Sequence, residues 1–179
     1  AVLIACSLMA PLAMADTSTF RQALDAARNN DWETLSRMES ALDDNHPLEA
    51  YLEFHRIRVG LPELPPEKIQ AYAETYSDSP LPGDVVDMAI VAYGKAKRWD
   101  ALLKVSETAP REVALQCYYY QAKLANNDES ALQEAARLWA HGSSRPNACD
   151  PLFDAARQAG MIDDKAIWER QRLAFEASN

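Results

Sequence analysis

The sequence predicts an all-α protein: an α-solenoid or superhelix of helix-turn-helix pairs, with a repeat length like that of tetratricopeptide repeats. Three observations predict this fold class. Apolar residues recur at intervals of three and four along the chain. Proline and glycine fall between these periodic segments rather than inside them. A short motif returns at a spacing close to 30–34 residues, which is typical of stacked helical pairs.

The repeated motif closes one helix and opens the next. It occupies residues 29–35 (NNDWETL), 96–102 (AKRWDAL) and 126–132 (NNDESAL). Trp32 and Trp99 are 67 positions apart, which is close to two repeats of 34. The repeat favours a solenoid over the alternative, a closed helical bundle.

Ten helices are expected from the periodicity and from the start and stop signals. Asn30 followed by Glu33 predicts a capping box. Pro66 is placed as a first helical residue, and Gly142 and Gly160 follow helix ends. The predicted helices lie near 18–29, 31–42, 47–60, 66–77, 83–97, 99–107, 111–126, 128–141, 147–159 and 163–177.

Three consecutive tyrosines lie in the seventh predicted helix. Tyr120 shares a predicted buried stripe with Cys117. Successive helical residues point about 100° apart, so Tyr118 or Tyr119 should face a groove between helices or water. Sugar rings stack on such side chains, which makes Tyr118 and Tyr119 candidate glycan or groove contacts. Packing against the next repeat is the alternative role.

Residues 1–15 are predicted to be a signal peptide whose start is truncated. They carry no charge, and the run ends Ala13-Met14-Ala15, a small-x-small pattern that signal peptidase cleaves. Fifteen residues are also too few for a membrane-spanning helix, which needs about 20. A lipoprotein box ending at Cys6 is the alternative, but apolar sequence continues after Cys6 where a lipoprotein turns polar. Both readings predict export.

Cleavage of the leader leaves Cys117 and Cys149, 32 positions apart, as the last cysteines. An even number of cysteines in an oxidising compartment favours a disulfide, which would tie one helical pair to the start of the next. Two free buried thiols are the alternative. The sequence has no CxxC motif, and His46, His55 and His141 are scattered, so neither a metal nor a cofactor is expected.

The formal net charge is −9. Nucleic-acid binding needs clustered Lys and Arg, so nucleic acid is excluded as a partner. A basic membrane-binding face is missing for the same reason.

Two Glu-Ser segments are candidates for catalysis, Glu39-Ser40 and Glu129-Ser130. A catalytic Glu of this kind needs a raised pKa inside an apolar cleft. Both segments fall within the helical repeat and lack a neighbouring Gly-rich cleft. The alternative, a solvated Glu on a repeat helix, is therefore preferred, and no residue is assigned a catalytic role.

One stretch resembles the N-terminal superhelical domain of soluble lytic murein transglycosylases. The matching residues are Gln116, Cys117, Tyr119, Tyr120, Ala122 and Lys123, then Leu138-Trp139, then Pro146-Asn147-Ala148-Cys149-Asp150 and Leu152-Phe153. Weaker similarity occurs at Tyr51-Leu52-Glu53, Glu169-Arg170 and Arg172-Leu173-Ala174. Gln121 departs from the pattern, because a third aromatic residue is expected there.

This resemblance implies a large periplasmic protein of the Gram-negative type. In it, residues 16–179 would be the N-terminal part of a U-shaped α-superhelical domain, and the lysozyme-like catalytic domain would be absent from this chain. The family cleaves the MurNAc–GlcNAc β-1,4 bond of peptidoglycan and leaves 1,6-anhydro ends. The implied partners are glycan strands, bound by the complete protein, and the C-terminal catalytic domain in cis; a monomer is expected.

Two rival functions remain open from the sequence. One is a stand-alone periplasmic tetratricopeptide-like adaptor that binds a protein or peptide in its concave face. The other is a self-contained enzyme that uses a Glu-Ser segment.

Overall fold

The computed structural model describes residues 10–42 and 49–177, with side chains from residue 17 onward. The described part is all-helical and contains no strand, which confirms the predicted fold class. Its elements are α1 (Ala10–Arg28), α2 (Trp32–Glu39), α3 (Glu49–Gly60), α4 (Pro66–Thr75), α5 (Leu81–Lys95), α6 (Trp99–Val105), α7 (Val113–Ala125), α8 (Ser130–Trp139), a 3-10 turn (Asn147–Cys149), α9 (Asp150–Gln158) and α10 (Asp164–Ala177).

Each predicted helix has a counterpart; most ends differ by three residues or fewer, and two differences are informative. Helix α1 begins at Ala10 instead of near residue 18, because the alanine, leucine and methionine of this stretch are strong helix formers. The segment before α9 begins as a 3-10 turn at Asn147 and becomes α-helical at Asp150. The predictions about Cys6 and His46 lie outside the described residues.

The chain divides into two compact units, residues 1–60 and 61–179. In the first unit, α1 packs against α2 and α3. The small core of this unit contains Phe20, Ala23, Ala26, Ala27, Leu35 and Leu52.

In the second unit, each helix from α4 to α8 packs against the next one along the chain. Helix α7 also contacts α5 and α9, so the hairpins α5–α6, α7–α8 and α9–α10 stack through their first helices. This is the arrangement of a helical-repeat protein, in which each hairpin buries its apolar face against its neighbours.

The same turn joins the two helices of four hairpins. One residue adopts a left-handed conformation, and the next backbone N–H reaches back five residues to a carbonyl, as in a Schellman motif. The left-handed residues are Asn30 (φ 59°), Lys97 (φ 56°), Asn127 (φ 62°) and Gly160 (φ 75°). In these hydrogen bonds the backbone N–H of the first residue donates to the backbone carbonyl of the second: Asp31 to Ala26 (2.9 Å), Arg98 to Tyr93 (2.8 Å), Asp128 to Lys123 (3.0 Å) and Met161 to Ala156 (2.9 Å).

These turns explain the repeated motif and correct one detail of it. The predicted N-cap Asn30 is instead the left-handed residue that ends α1. Asp31 caps α2, because its carboxylate accepts the backbone N–H of Thr34 at 3.1 Å. Gly160 adds a fourth repeat of the turn that the sequence motif did not reveal, since its flanking residues differ.

Candidate functional site

The most strongly organised region of the second unit surrounds a disulfide. Cys117 of α7 and Cys149 of the 3-10 turn are bonded, with an Sγ–Sγ distance of 2.04 Å and a Cα–Cα distance of 4.9 Å. Both residues are fully buried. The predicted bridge is therefore present and ties hairpin α7–α8 to the start of α9.

An apolar cluster, formed largely by residues of α8 and α9, packs around the disulfide. Tyr120, Val113 and Trp139 pack against it as partly buried side chains. Its buried members are Cys117, Ala135, Leu138, Cys149, Leu152, Phe153, Ala156 and Ile162. The spacing of the helices in this part of the molecule thus depends on a covalent bond and on close packing together.

Gln121 makes a polar connection beside the disulfide. Its side-chain Nε2 donates to the carbonyl of Cys117 at 3.0 Å and to the carbonyl of Ala148 at 2.7 Å. The amide therefore links α7 to the residue that precedes Cys149. An aromatic side chain, which the family resemblance led us to expect at this position, has no comparable pair of donors.

The structure corrects the predicted order of burial among the three tyrosines. Tyr119 is the buried one, at 8% exposure, and its hydroxyl donates to the carbonyl of Glu107 at 3.2 Å. Tyr120 is partly buried against the disulfide cluster. Tyr118 faces α5, where a Cβ added to Gly94 would lie 2.4 Å from its Cδ1. A glycan contact by Tyr118 or Tyr119 remains a prediction, and for Tyr119 little ring surface is accessible.

Trp139, at the end of α8, lines a cleft and also contacts the guanidinium group of Arg170. Phe153 meets its ring edge-on at 5.3 Å between centroids. Together with Ile162 and Ile167 and with the α9 side chains Asp150, Asp154 and Arg157, these two aromatic residues line a cleft of about 440 Å³. The indole Nε1 is buried and has no hydrogen-bond partner among the described residues.

Two arginines approach the end of α8, Arg170 at the Trp139 ring and Arg145 at the preceding residue, Leu138. The Arg170 guanidinium lies over the indole, 3.9 Å from the ring centroid. Arg145 donates from Nε to the carbonyl of Leu138 at 2.8 Å. Partial burial lowers the pKa of both side chains; the charge of Arg137 further lowers the pKa of Arg145, and the charge of Arg145 further lowers that of Arg170.

The arginine pair was not found by sequence reasoning. Arg145 lies in a loop and Arg170 in a helix 25 positions later. No motif of acid-base or metal chemistry contains two arginines at that separation. The available signal was that Arg170 falls within a stretch that resembles one family and that Arg145 directly precedes another such stretch.

Neither Glu-Ser segment lies in the surroundings that a catalytic acid needs. Glu39 forms an ion pair with Arg56 of α3. Glu129 is exposed at the start of α8, where Ser130 donates to the carboxylate of Asp128. Glu129 is thus solvated at a helix start, whereas Glu39 is partly buried and ion-paired at a helix end.

The two described histidines are not brought together. His55 is partly buried on α3, and burial lowers its pKa, with smaller contributions from the charges of Arg58 and Arg28. His141 accepts the backbone N–H of Ser143 at Nδ1, at 3.0 Å. Across residues 10–42 and 49–177, no three side chains of metal-binding type cluster, and no helix combines the length and apolar character needed to cross a membrane.

Fold and site together define a helical-repeat protein with a disulfide between neighbouring hairpins. No family model matches the sequence. The chain is 32% identical over 163 residues to the soluble lytic murein transglycosylase of Escherichia coli K12, covering 90% of this chain and 25% of that protein. It is 32% identical over 161 residues to the Salmonella typhimurium protein of the same name, with 89% and 25% covered.

Solved structures show the same relationship. The 70 kDa soluble lytic transglycosylase of E. coli superposes with a TM-score of 0.82 at 31% identity, covering 91% of this chain and 26% of that one. The same enzyme in complex with bulgecin A gives a TM-score of 0.81. An inactive mutant of the lytic transglycosylase Slt from Pseudomonas aeruginosa gives 0.78 at 26% identity, again over 26% of that chain.

The predicted resemblance to the soluble lytic murein transglycosylases is confirmed by both sets of relatives. The chain spans about a quarter of the length of the proteins that it matches. The relationship therefore concerns one helical portion of those enzymes.

Proposed function

We propose that this chain is the N-terminal helical scaffold segment of a periplasmic lytic murein transglycosylase. The observation that carries the proposal is the match in fold and sequence over 91% of this chain and only 26% of the E. coli enzyme. In the proposed parent protein, residues 16–179 begin the U-shaped superhelix. A separate lysozyme-like domain cleaves the MurNAc–GlcNAc β-1,4 bond of peptidoglycan and leaves 1,6-anhydro ends.

A periplasmic location is supported by two independent features. Residues 1–15 have the composition and the Ala13-Met14-Ala15 ending of a signal peptide. The buried disulfide is typical of proteins in an oxidising compartment.

The scaffold role is supported by what the described side chains do. The disulfide, Gln121 and the apolar cluster around Leu138 and Leu152 hold neighbouring hairpins at fixed spacing. The two candidate catalytic glutamates lie at helix ends, one ion-paired and one exposed. A ring of such hairpins would position glycan strands for a catalytic domain, because a rigid repeat array transmits its curvature from one pair to the next.

The purified chain, incubated with murein sacculi, tests the non-catalytic role. We expect no release of 1,6-anhydro-muropeptides, measured by chromatography and mass spectrometry, whereas an intact lytic transglycosylase releases them under the same conditions. Release by the chain alone would contradict the scaffold assignment and favour a self-contained enzyme.

The coding sequence beyond Asn179 separates the scaffold from the adaptor. A continuation through further helical repeats into a lysozyme-like domain with a Glu-Ser segment supports the scaffold. A stop codon at that point would instead favour a stand-alone periplasmic adaptor. The exposed Trp168 (71%) and Phe175 (78%) on α10 are the observation that keeps the adaptor in consideration, because large exposed apolar side chains on one helix mark interaction surfaces.

A further inference from the structure

The loop after α8 and helix α10 come together beside Trp139. A Cβ added to Gly142 would lie 2.4 Å from the carbonyl oxygen of Leu173, so the loop backbone touches α10 there. Arg170 lies one turn before Leu173 on α10 and covers the Trp139 ring. Arg145, at the far end of the same loop, is anchored to Leu138, the neighbour of Trp139. The packing thus places one guanidinium group over the indole of Trp139 and a second at the carbonyl of the preceding residue.

Both guanidinium groups keep most of their hydrogen-bonding capacity unused. Each has five N–H donors, and together they make one hydrogen bond within the described residues, from Arg145 to Leu138. Neither forms an ion pair with a carboxylate of the described part of the chain. Arg172, two residues beyond Arg170 on the same helix, instead pairs with Glu169 and Glu176.

An unneutralised pair of partly buried cations is unfavourable in the free protein. Burial removes water from each charge, and the charge of Arg145 acts against that of Arg170. A bound anion would relieve both effects, and a carboxylate can accept two parallel hydrogen bonds from a guanidinium group. The indole N–H of Trp139 is buried and has no acceptor, so it reports on this place spectroscopically and is not a contact of the ligand.

The chemistry around Trp139 favours a small peptide over a polyanion. The net charge of −9 repels nucleic acid and other extended polyanions. The cleft on the α9 side of Trp139 carries the carboxylate of Asp150, together with Asp154 and Arg157, which are ion-paired with each other at 3.2 Å. A ligand with both carboxylate and ammonium groups therefore meets the opposite sign on either side of one aromatic residue.

We propose that Arg145 and Arg170, beside Trp139, bind a carboxylate of the murein stem peptide. The identity of the peptide rests on the proposed function, since stem peptides carry the free carboxylates and amines described above. The site lies in this helical segment and involves no bond-breaking step. It would hold peptide-bearing strands against the scaffold.

The test measures binding of a murein stem tetrapeptide (L-Ala, D-Glu, meso-diaminopimelate, D-Ala) to the disulfide-bonded chain. Calorimetry gives the affinity, and NMR of the indole N–H groups shows where the peptide binds. We expect saturable binding with a shift of the Trp139 indole signal, which is assigned by its loss in Trp139→Phe. Arg170→Gln and Arg145→Gln should each weaken binding by about tenfold or more, because each removes a charge-assisted hydrogen bond.

Arg172→Gln is the matched control and should leave the affinity unchanged, since Arg172 is already paired on the same helix. The tetrapeptide with its carboxylates amidated should bind at least about tenfold more weakly for the same reason. Circular dichroism of each variant shows whether the fold is retained, and Arg170→Lys, which keeps the charge, should recover part of the affinity.

Three results would overturn the proposal: no binding of the tetrapeptide, equal binding of the amidated form, or equal losses in Arg172→Gln and Arg170→Gln. Equal affinity for an unrelated acidic peptide would also overturn it, because the site would then serve proteins. None of these outcomes bears on the sacculus assay, so failure of this site is distinguishable from failure of the scaffold role.

Discussion

Lys97 occupies a backbone conformation that suits glycine better than lysine. Its φ is 56°, and the side chain is exposed in the turn between α5 and α6. Left-handed backbone costs an L-residue other than asparagine, aspartate or glycine roughly 1–2 kcal/mol. We therefore expect Lys97→Gly to raise the free energy of unfolding by about 1 kcal/mol, measured by urea denaturation.

Gly160→Ala is the opposite substitution at an equivalent turn, where φ is 75° and a Cβ would meet no atom within 4 Å. We expect this substitution to lower the free energy of unfolding by about 1 kcal/mol through backbone strain alone. If Gly160→Ala stabilises the protein, or Lys97→Gly destabilises it, the left-handed backbone conformation at these two turn positions does not determine their contribution to stability.

Asp128 makes stability depend on pH at the acid end. The hydrogen bond from Lys123, followed by those from Ser130, lowers the pKa of Asp128 to about 2. The folded pKa lies below the unfolded one, so the carboxylate stabilises the fold above pH 3.8, and this contribution is lost as pH falls from about 4 to about 2.

Asp128→Asn should therefore be less stable than the parent chain near neutral pH and should lose less stability between pH 5 and pH 2.5. Urea denaturation of both proteins across that range measures the difference. Parallel pH curves for the two proteins would contradict the assigned role of Asp128.

The tyrosines show where residue-level reasoning from sequence stops. A single helical stripe through Cys117 and Tyr120 was predicted to be the buried face. In the structure, Cys117 and Tyr120 do face the disulfide cluster, but Leu115, Tyr119 and Ala122 are also buried. Helix α7 contacts α5 and α6 as well as α8, so two of its faces are covered. Periodicity within one helix cannot show how many neighbours that helix has.

At the scale of single elements, α5 contains two glycines with opposite surroundings. A Cβ on Gly94 would lie 2.4 Å from Tyr118 Cδ1 and 3.0 Å from its Cβ, whereas one on Gly83 would meet nothing within 4 Å. Gly94→Ala should destabilise by roughly 1–3 kcal/mol through overpacking against α7. Gly83→Ala should be neutral or stabilise by up to about 1 kcal/mol, because alanine is the better helix former.

Thermal and urea unfolding of the two glycine variants check this contrast. The double variant Gly94→Ala, Tyr118→Ala should recover part of the loss relative to the sum of the single substitutions. If the losses of the two single substitutions simply add in the double variant, the effect of Gly94→Ala does not arise from its contact with Tyr118.

The disulfide is the strongest single connection between hairpins in the described structure. Closing a loop across a separation of 32 residues is expected to stabilise the fold by roughly 3–4 kcal/mol. Replacing Cys117 and Cys149 together by serine should lower the free energy of unfolding by about that amount. A reducing agent should destabilise the parent chain similarly and leave the double variant unchanged, and sensitivity of the double variant to reductant would contradict the assignment.

Helices were predictable here because their signals are local. Pro66 begins α4 at the expected position, and Gly160 follows α9 as a helix-ending glycine does. The N-cap of α2 was placed one residue early, since Asn30 and Asp31 are both good caps and only the left-handed φ of Asn30 separates them. Local sequence thus gives the order of the helices, while exact ends depend on backbone geometry.

At the scale of the whole molecule, the covalent link was more predictable than the binding surface. Two cysteines left after export have one possible partner each, so Cys117 and Cys149 could be paired from counting and compartment. Arg145 and Arg170 both lie at the end of α8 because the loop at Gly142 packs on α10. Charge summed over the sequence is negative and conceals this local excess of positive charge. Such a site requires the fold.

Residues 61–179 form one of the two compact units and contain the disulfide, the cluster around Leu138 and the stacked hairpins α5–α10. Residues 1–60 contain a smaller core and, within their described part, no disulfide. Domains of about 60 residues bury proportionally less surface on folding and are marginal without staples. The two units should therefore differ in their capacity to fold alone.

We expect residues 61–179, produced alone in an oxidising compartment, to be helical and to unfold in one cooperative transition. Reduction of the disulfide should lower its free energy of unfolding by roughly 3–4 kcal/mol, as in the whole chain. Residues 1–60 alone should show weak or non-cooperative unfolding, because little apolar surface is available to offset chain entropy. Circular dichroism during urea titration measures both, and a non-cooperative 61–179 would mean that the repeat array needs its first unit as a folding template.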